Sequence, residues 1–217
     1  QKEEEPGIIG VVADIVKVEK KYEVAIETAL GGSIQNVVTK DEDTAKRMIS
    51  YLKRTKGGRA TFLPLTSVKN AQPFKQKEAL SEPGVLGLAN TLVSVENAYE
   101  DVAKSLLGRI LVVDQIDHAV KLARKYSYAF RIVTLEGELL VPGGAISGGA
   151  FKNSSNLLGR RREMEELETK VKKSLMAIDG LLDDIEKTKG KRNRLRMELE
   201  EGREKLQEAF IRQNTAR

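Results

Sequence analysis

From Gly159 to the end of the chain there is no proline, and apolar residues recur in alternating steps of three and four. Counting from Met164, the register runs through Leu167, Val171, Ser174, Ile178, Leu181, Ile185, Thr188, Arg192, Leu195, Leu199, Gly202, Leu206, Ala209 and Gln213. A heptad repeat sustained this long specifies a helix with a coiled-coil seam. Gly180, Gly190 and Gly202 each weaken that helix by up to about 1 kcal/mol. A bundle helix is the other reading of such a pattern, but bundle helices seldom run so far without a break. At 1.5 Å per residue the helix reaches roughly 80 Å. An apolar seam of that length needs a covering helix, and the residues before Pro6 are too few to supply one. The chain also starts at Gln1 rather than methionine. The expected partner is therefore an upstream helix of a longer parent chain, running antiparallel, with residues 1–6 as its end and residues 159–217 as the returning arm.

The remaining sequence is of a different kind, with short apolar runs punctuated by Gly and Pro, and it contains an internal repeat. Tyr22-Glu23 opens an amphipathic stretch that closes at Ala29-Leu30-Gly31, and Tyr99-Glu100 opens another that closes at Leu106-Leu107-Gly108. Each leads to an apolar strand, Ile34 to Val38 and Ile110 to Val113. Helices follow over Asp41 to Lys53 and Asp114 to Lys125. A basic residue then introduces a second strand, at Arg59 to Leu65 and at Arg131 to Leu135. Thr39-Lys-Asp-Glu42 fits a capping box, and Asp114 suits an N-cap. The pattern predicts an α+β, mixed α/β protein of two pseudo-repeated lobes, residues 7–65 and 84–158, joined by a polar, proline-bearing linker at 66–83.

Of 217 residues, 40% are hydrophobic and 32% charged, with a net charge of +5. The excess permits nucleic-acid contact without demanding it. With no cysteine there is no disulfide framework and no thiolate chemistry, which suits a reducing cytoplasm. No apolar run approaches the roughly 20 residues that cross a bilayer. The one histidine, His118, has no motif placing a nucleophile beside it. Asp41, Glu42 and Asp43 are the acids expected in a first helical turn, and Asp183, Asp184 and Glu186 form a solvated face of the arm. A catalytic site and a metal site are therefore not expected, and no P-loop motif is present.

Two glycine clusters stand out. Gly57-Gly58, next to Lys53, Arg54, Lys56 and Arg59, reads as a turn with a basic rim or as a phosphate-contacting loop. Pro142-Gly143-Gly144-Ala145-Ile146-Ser147-Gly148-Gly149 lacks the lysine and following helix start that a nucleotide loop requires. It also carries an isoleucine that a plain linker would not. Glycine pairs around a short apolar segment allow two backbones to approach closely, as in strand addition by another chain.

The paired repeats resemble the hinge domain of structural maintenance of chromosomes (SMC) proteins. So do the run Gly58-Arg-Ala-Thr-Phe-Leu-Pro-Leu65 and the run from Leu135 through Gly149. The form most resembled is bacterial or archaeal. The resemblance implies a non-enzymatic homodimerisation module, closed into a ring by opposite sheet edges, with Gly143, Gly144, Gly148 and Gly149 at the interface and Ala145, Ile146 and Ser147 between them. It implies a cytoplasmic, nucleoid-associated parent ATPase whose ATP and Mg bind in a distant head, so that this segment holds no cofactor. It further implies DNA contact near the arm. Lys53, Arg54, Lys56 and Arg59 are the candidates in the first lobe, and Arg160, Arg161 and Arg162 are candidates on charge alone. A stand-alone nucleic-acid-binding module with a helical spacer is the competing reading.

Overall fold

The computed structural model describes residues 5–69, 71–149 and 157–215. They form two units, Gln1–Glu163 and Met164–Arg217. The first unit is built by the repeat, which begins earlier than the Tyr-Glu pairs. Glu5-Pro6-Gly7-Ile8-Ile9-Gly10 recurs as Glu82-Pro83-Gly84-Val85-Leu86-Gly87. These segments start strands β1 (Ile8–Val11) and β5 (Val85–Leu88). A register shift falls between Ile8 and Gly10 in one and between Val85 and Gly87 in the other.

The first lobe continues through α1 (Val12–Ile15), β2 (Lys17–Val18), α2 (Glu23–Leu30), β3 (Val37–Thr39), α3 (Glu42–Thr55) and β4 (Phe62–Pro64). The second continues through β6 (Val93–Ser94), α4 (Glu100–Leu107), β7 (Ile110–Val113), α5 (Ile116–Lys125) and β8 (Arg131–Thr134), and adds a hairpin of β9 (Leu139–Leu140) and β10 (Ile146–Ser147). β3 runs parallel to β4 and β7 parallel to β8. A parallel pair requires a crossover, which α3 and α5 provide. The resulting sheets are ordered β1-β3-β4 and β10-β9-β8-β7-β5. β2 and β6 pair with each other across the lobes, Lys17 opposite Ser94.

Several local expectations are corrected. Ile34 lies in a 3₁₀ turn (Gly31–Gln35) rather than in the strand, because the chain leaves α2 at Gly31 with φ +51° and tightens before extending. The cap of α3 is Asp41, not Thr39. Its carboxylate accepts from the Thr44 backbone N–H at 2.8 Å and from the Thr44 hydroxyl at 2.7 Å. Glu42 accepts the hydroxyls of Thr66 and Ser67 instead of closing a capping box. Gln115, not Asp114, occupies the N-cap of α5. The segment after residue 66 is less loose than its composition implies. Phe74 is buried with its ring edge-on to Phe130, centroids 5.1 Å apart, and Ala79 is fully buried in a 3₁₀ turn (Lys77–Ser81).

One apolar cluster crosses both lobes, joining Val12, Ile26, Leu30 and Val38 to Val102, Leu107, Ile110, Val112, Val133 and Leu158. A second lies under α5, where Leu111, Val113 and Ile132 meet Ala119, Leu122, Phe74 and Phe130. β7 is thus buried on both faces, as its unbroken apolar run requires.

The second unit is helical. α6 (Leu157–Thr215) has its first turns in the first unit, and the rest makes up the second. Along it the seam residues Met164, Leu167, Val171, Ile178, Leu181, Ile185, Leu195, Leu199 and Leu206 are all 49–72% exposed. Leu175, Leu182, Phe210 and Ile211 are exposed beside them. The stripe is therefore broader than the strict heptad, and Leu175 supplies the apolar bulk that Ser174 lacks.

Candidate dimer interface and basic sites

The β9–β10 hairpin turns at Val141-Pro142-Gly143-Gly144. The Gly144 N–H donates to the Val141 carbonyl at 3.0 Å and the Val141 N–H to the Ala145 carbonyl at 3.1 Å. With proline at the second position and Gly143 at φ +93° in the third, this is a type II turn. The first glycine pair therefore has an intramolecular reason to exist. Pro142 through Gly149 are exposed throughout, and a Cβ at Gly143, Gly144 or Gly149 would meet nothing within 4 Å. At Gly148, which has no positive φ, the nearest atom would be Glu138 Cγ at 2.9 Å, the stem of a flexible side chain. β10 is the outer strand of its sheet, and its Ile146 is 51% exposed.

The corresponding edge of the first lobe differs. β8 is covered by the hairpin, whereas among the described residues no strand lies outside its counterpart β4. The molecule thus presents one added edge, β10, and one edge lacking that addition, β4.

Lys53, Arg54, Lys56 and Arg59 are all exposed at the end of α3 and in the loop before β4. The Arg54 guanidinium lies over the Tyr51 ring, 5.8 Å from its centroid. Cations here complement the negative end of the helix dipole. Gly57 closes α3, its N–H donating to the Leu52 carbonyl at 3.0 Å. The loop thus adjoins carbonyl ends rather than a fan of free amides, which favours the turn over the phosphate cradle. Any anion contact would come from the side chains.

The root of α6 is held by carboxylates. The Leu157 N–H donates to Glu27 Oε1 at 3.2 Å, Arg161 pairs with Asp14 at 2.7 Å, and Arg162 pairs with the buried Glu23. Burial pushes the Glu27 carboxyl above the usual glutamate range, against the lowering effect of the Leu157 and Leu158 N–H groups and of Arg160. Sequence reasoning missed these acids, although Glu23 and Glu27 stand one turn apart on α2 and fall on its buried side.

His118 packs against the backbone of the repeat. Its Nδ1 lies 2.7 Å from Asp114 Oδ1, and this contact holds the Asp114 carboxyl below its ordinary range. Thr44 occupies the same place in the first lobe. A Cβ on Gly7 would fall 2.3 Å from the Thr44 hydroxyl, and one on Gly84 would fall 2.3 Å from His118 Nδ1. Among the described residues no group of acids and histidines could hold a metal ion, and no helix is long and apolar enough to cross a membrane.

The family model of the SMC proteins flexible hinge domain matches residues 5–123. The chain belongs to the SMC hinge family. The solved SMC hinge domain of Geobacillus stearothermophilus, an asymmetric dimer, superimposes on this hinge with a TM-score of 0.72 at 39% identity, covering 79% of this chain and 70% of that one. The Pyrococcus furiosus SMC hinge domain gives a TM-score of 0.57 at 35% identity, with 69% of this chain and 76% of that one covered. Among curated proteins, the chromosome partition protein Smc of Halothermothrix orenii is 46% identical over 170 residues, and that of Bacillus subtilis 44% over 169. They cover 77% and 76% of this hinge, which itself spans 14% of the length of each. The hinge fold is mixed α/β with a long C-terminal helix, and its relatives are bacterial and archaeal Smc proteins.

Proposed function

We propose that this chain is the homodimerisation hinge of a chromosome-partition SMC protein, and that β10 of one copy docks against β4 of a second. The carrying observation is the complementarity of the two edges: the second lobe has a hairpin that the first lacks. A twofold axis repeats any β10–β4 contact, so two copies close with both edges covered. Ile146 then leaves water at the centre of each contact, and Gly143, Gly144, Gly148 and Gly149 keep the approach free of side chains. The solved Geobacillus relative is a dimer of hinge domains, which supports the pairing of two copies.

The longer parent would supply the upstream helix that covers the α6 stripe and a remote head that binds ATP and Mg. It would act at the nucleoid. Lys53, Arg54, Lys56 and Arg59 form an exposed cationic rim suited to a DNA backbone.

Sedimentation at micromolar concentration tests the interface. Ile146→Lys combined with Gly148→Val places charge on β10 and bulk just after it without touching the left-handed turn glycines. The expected product is a folded monomer, where the unsubstituted chain is a dimer without DNA. Dimers that survive the substitutions would overturn the interface. Assembly only in the presence of DNA would favour a stand-alone nucleic-acid module.

A further inference from the structure

Two arginines at the arm root pair with acids of the protein's own first unit, and the two pairs differ in exposure. Arg161 meets Asp14 at 2.7 Å, with side chains 44% and 48% exposed. Arg162 meets Glu23 with side chains 25% and 6% exposed. Glu27, behind them, accepts the first N–H of α6. The charged groups of this cluster include Asp14 on α1, Glu23 and Glu27 on α2, and Arg160, Arg161 and Arg162 on α6.

A guanidinium presents the same fork to a carboxylate and to a phosphate. An exposed ion pair is held weakly and is screened by salt, whereas separating a buried pair strands a charge away from water. The two arginines should consequently behave differently towards an incoming polyanion.

We infer that Asp14 is an internal competitor for nucleic acid: it occupies Arg161 in the unbound hinge and yields it to a backbone phosphate, while Glu23 retains Arg162 as a fixed anchor of the arm root. This rests on the DNA contact proposed above and adds its regulation. Displacement leaves Asp14 uncovered, and it recruits a cation from solution. That uptake offsets part of the counterion release on the DNA, so the site binds more weakly and with a shallower salt dependence than its arginine content implies. By reciprocity, DNA at this site loosens the Arg161–Asp14 contact by the same factor that the contact weakens DNA.

The test is fluorescence anisotropy of the whole chain with a labelled duplex oligonucleotide across a sodium chloride series. Asp14→Asn keeps an oxygen to accept the Val11 N–H, which Asp14 Oδ2 accepts at 3.2 Å. Asp14→Ser serves in its place if the melting temperature falls. The substitution is expected to tighten binding several-fold at low salt and to steepen the slope of log K against log salt by up to about 0.9. Arg161→Gln should abolish that gain, so that the double variant binds no tighter than Arg161→Gln alone. Glu19→Gln removes an equal charge at an exposed site paired with Lys21 and should change little.

A gain that persists without Arg161, or that Glu19→Gln reproduces, means a general charge effect and overturns the competitor. If DNA binding falls on Lys53→Gln with Arg54→Gln but ignores Asp14→Asn, the DNA reading stands and the competitor fails. If neither the unsubstituted chain nor any variant binds DNA, both fail.

Discussion

Glu27 shows how one buried group can serve a helix at an electrostatic cost. Its Oε1 caps α6, but Oε2 has no hydrogen-bond partner among the described residues, and burial raises its carboxyl above the usual range. A carboxyl whose folded pKa is raised contributes most below its unfolded pKa, and the contribution is lost as pH rises through the folded value. Glu27→Gln keeps the acceptor and removes the charge. In urea unfolding the variant should therefore gain on the wild type between pH 4 and pH 8, and parallel curves would contradict this. The opposite sign applies to Asp114, whose carboxyl is lowered by His118 and whose contribution is present above the ordinary range and lost in acid. Gly84 is a steric case. With φ +81° and His118 Nδ1 2.3 Å from a would-be Cβ, Gly84→Ala should cost about 2–3 kcal/mol by thermal unfolding. Glu-Pro-Gly before each first strand was visible in the sequence, whereas the clash that makes the glycine necessary required a partner residue from a distant helix.

Among the elements, α3 and α5 end alike. The Gly57 N–H returns to Leu52 and the Lys56 N–H to Lys53, and in the second lobe the Tyr128 N–H returns to Ala123 and the Ser127 N–H to Arg124. These are Schellman closures with Lys56 at φ +53° and Ser127 at φ +52°, positions where glycine is usual. The Ser127 side chain is exposed, so Ser127→Gly should stabilise the hinge by about 1 kcal/mol and raise its melting temperature by a few degrees. An unchanged or lower melting temperature would show that the serine has a contact of its own. The longer helices and the β7 and β8 strands of the repeat were legible because periodicity reports them, whereas Ile34 was drawn into a strand it does not join and the opening strands β1 and β5 were not read. The caps were not, because Asp41 and Thr39 are both good N-cap residues and only the backbone path chooses between them. The same holds for Arg160, Arg161 and Arg162. Their charge was legible, but Asp14 and Glu23, which pair with Arg161 and Arg162, lie on α1 and α2.

For the whole molecule, the decisive feature is the asymmetry between two otherwise similar lobes. An unpaired edge invites another chain, and two complementary edges on one molecule invite a closed pair. If the pair forms, dilution should lower the melting temperature of the first unit, because association stabilises by mass action. Ile146→Lys with Gly148→Val should remove that concentration dependence, and a monomer whose melting temperature is already independent of concentration would argue against the closed pair. The α6 stripe poses the same question of cover: on a solitary helix these apolar residues face water, and the proposed upstream helix is expected to bury them.

The amino-acid order alone determined the repeat, the helices that follow Asp41 and Asp114 and the arm, since each follows from a local period of apolar residues; the parallel pairing of the strands beside those helices came from the structure. Only the tertiary structure decided which edges remain uncovered, which glycine answers to a turn and which to a neighbour, and which arginines face acids of their own chain. Those outcomes depend on distances between residues far apart in sequence, and a local period carries no information about such distances.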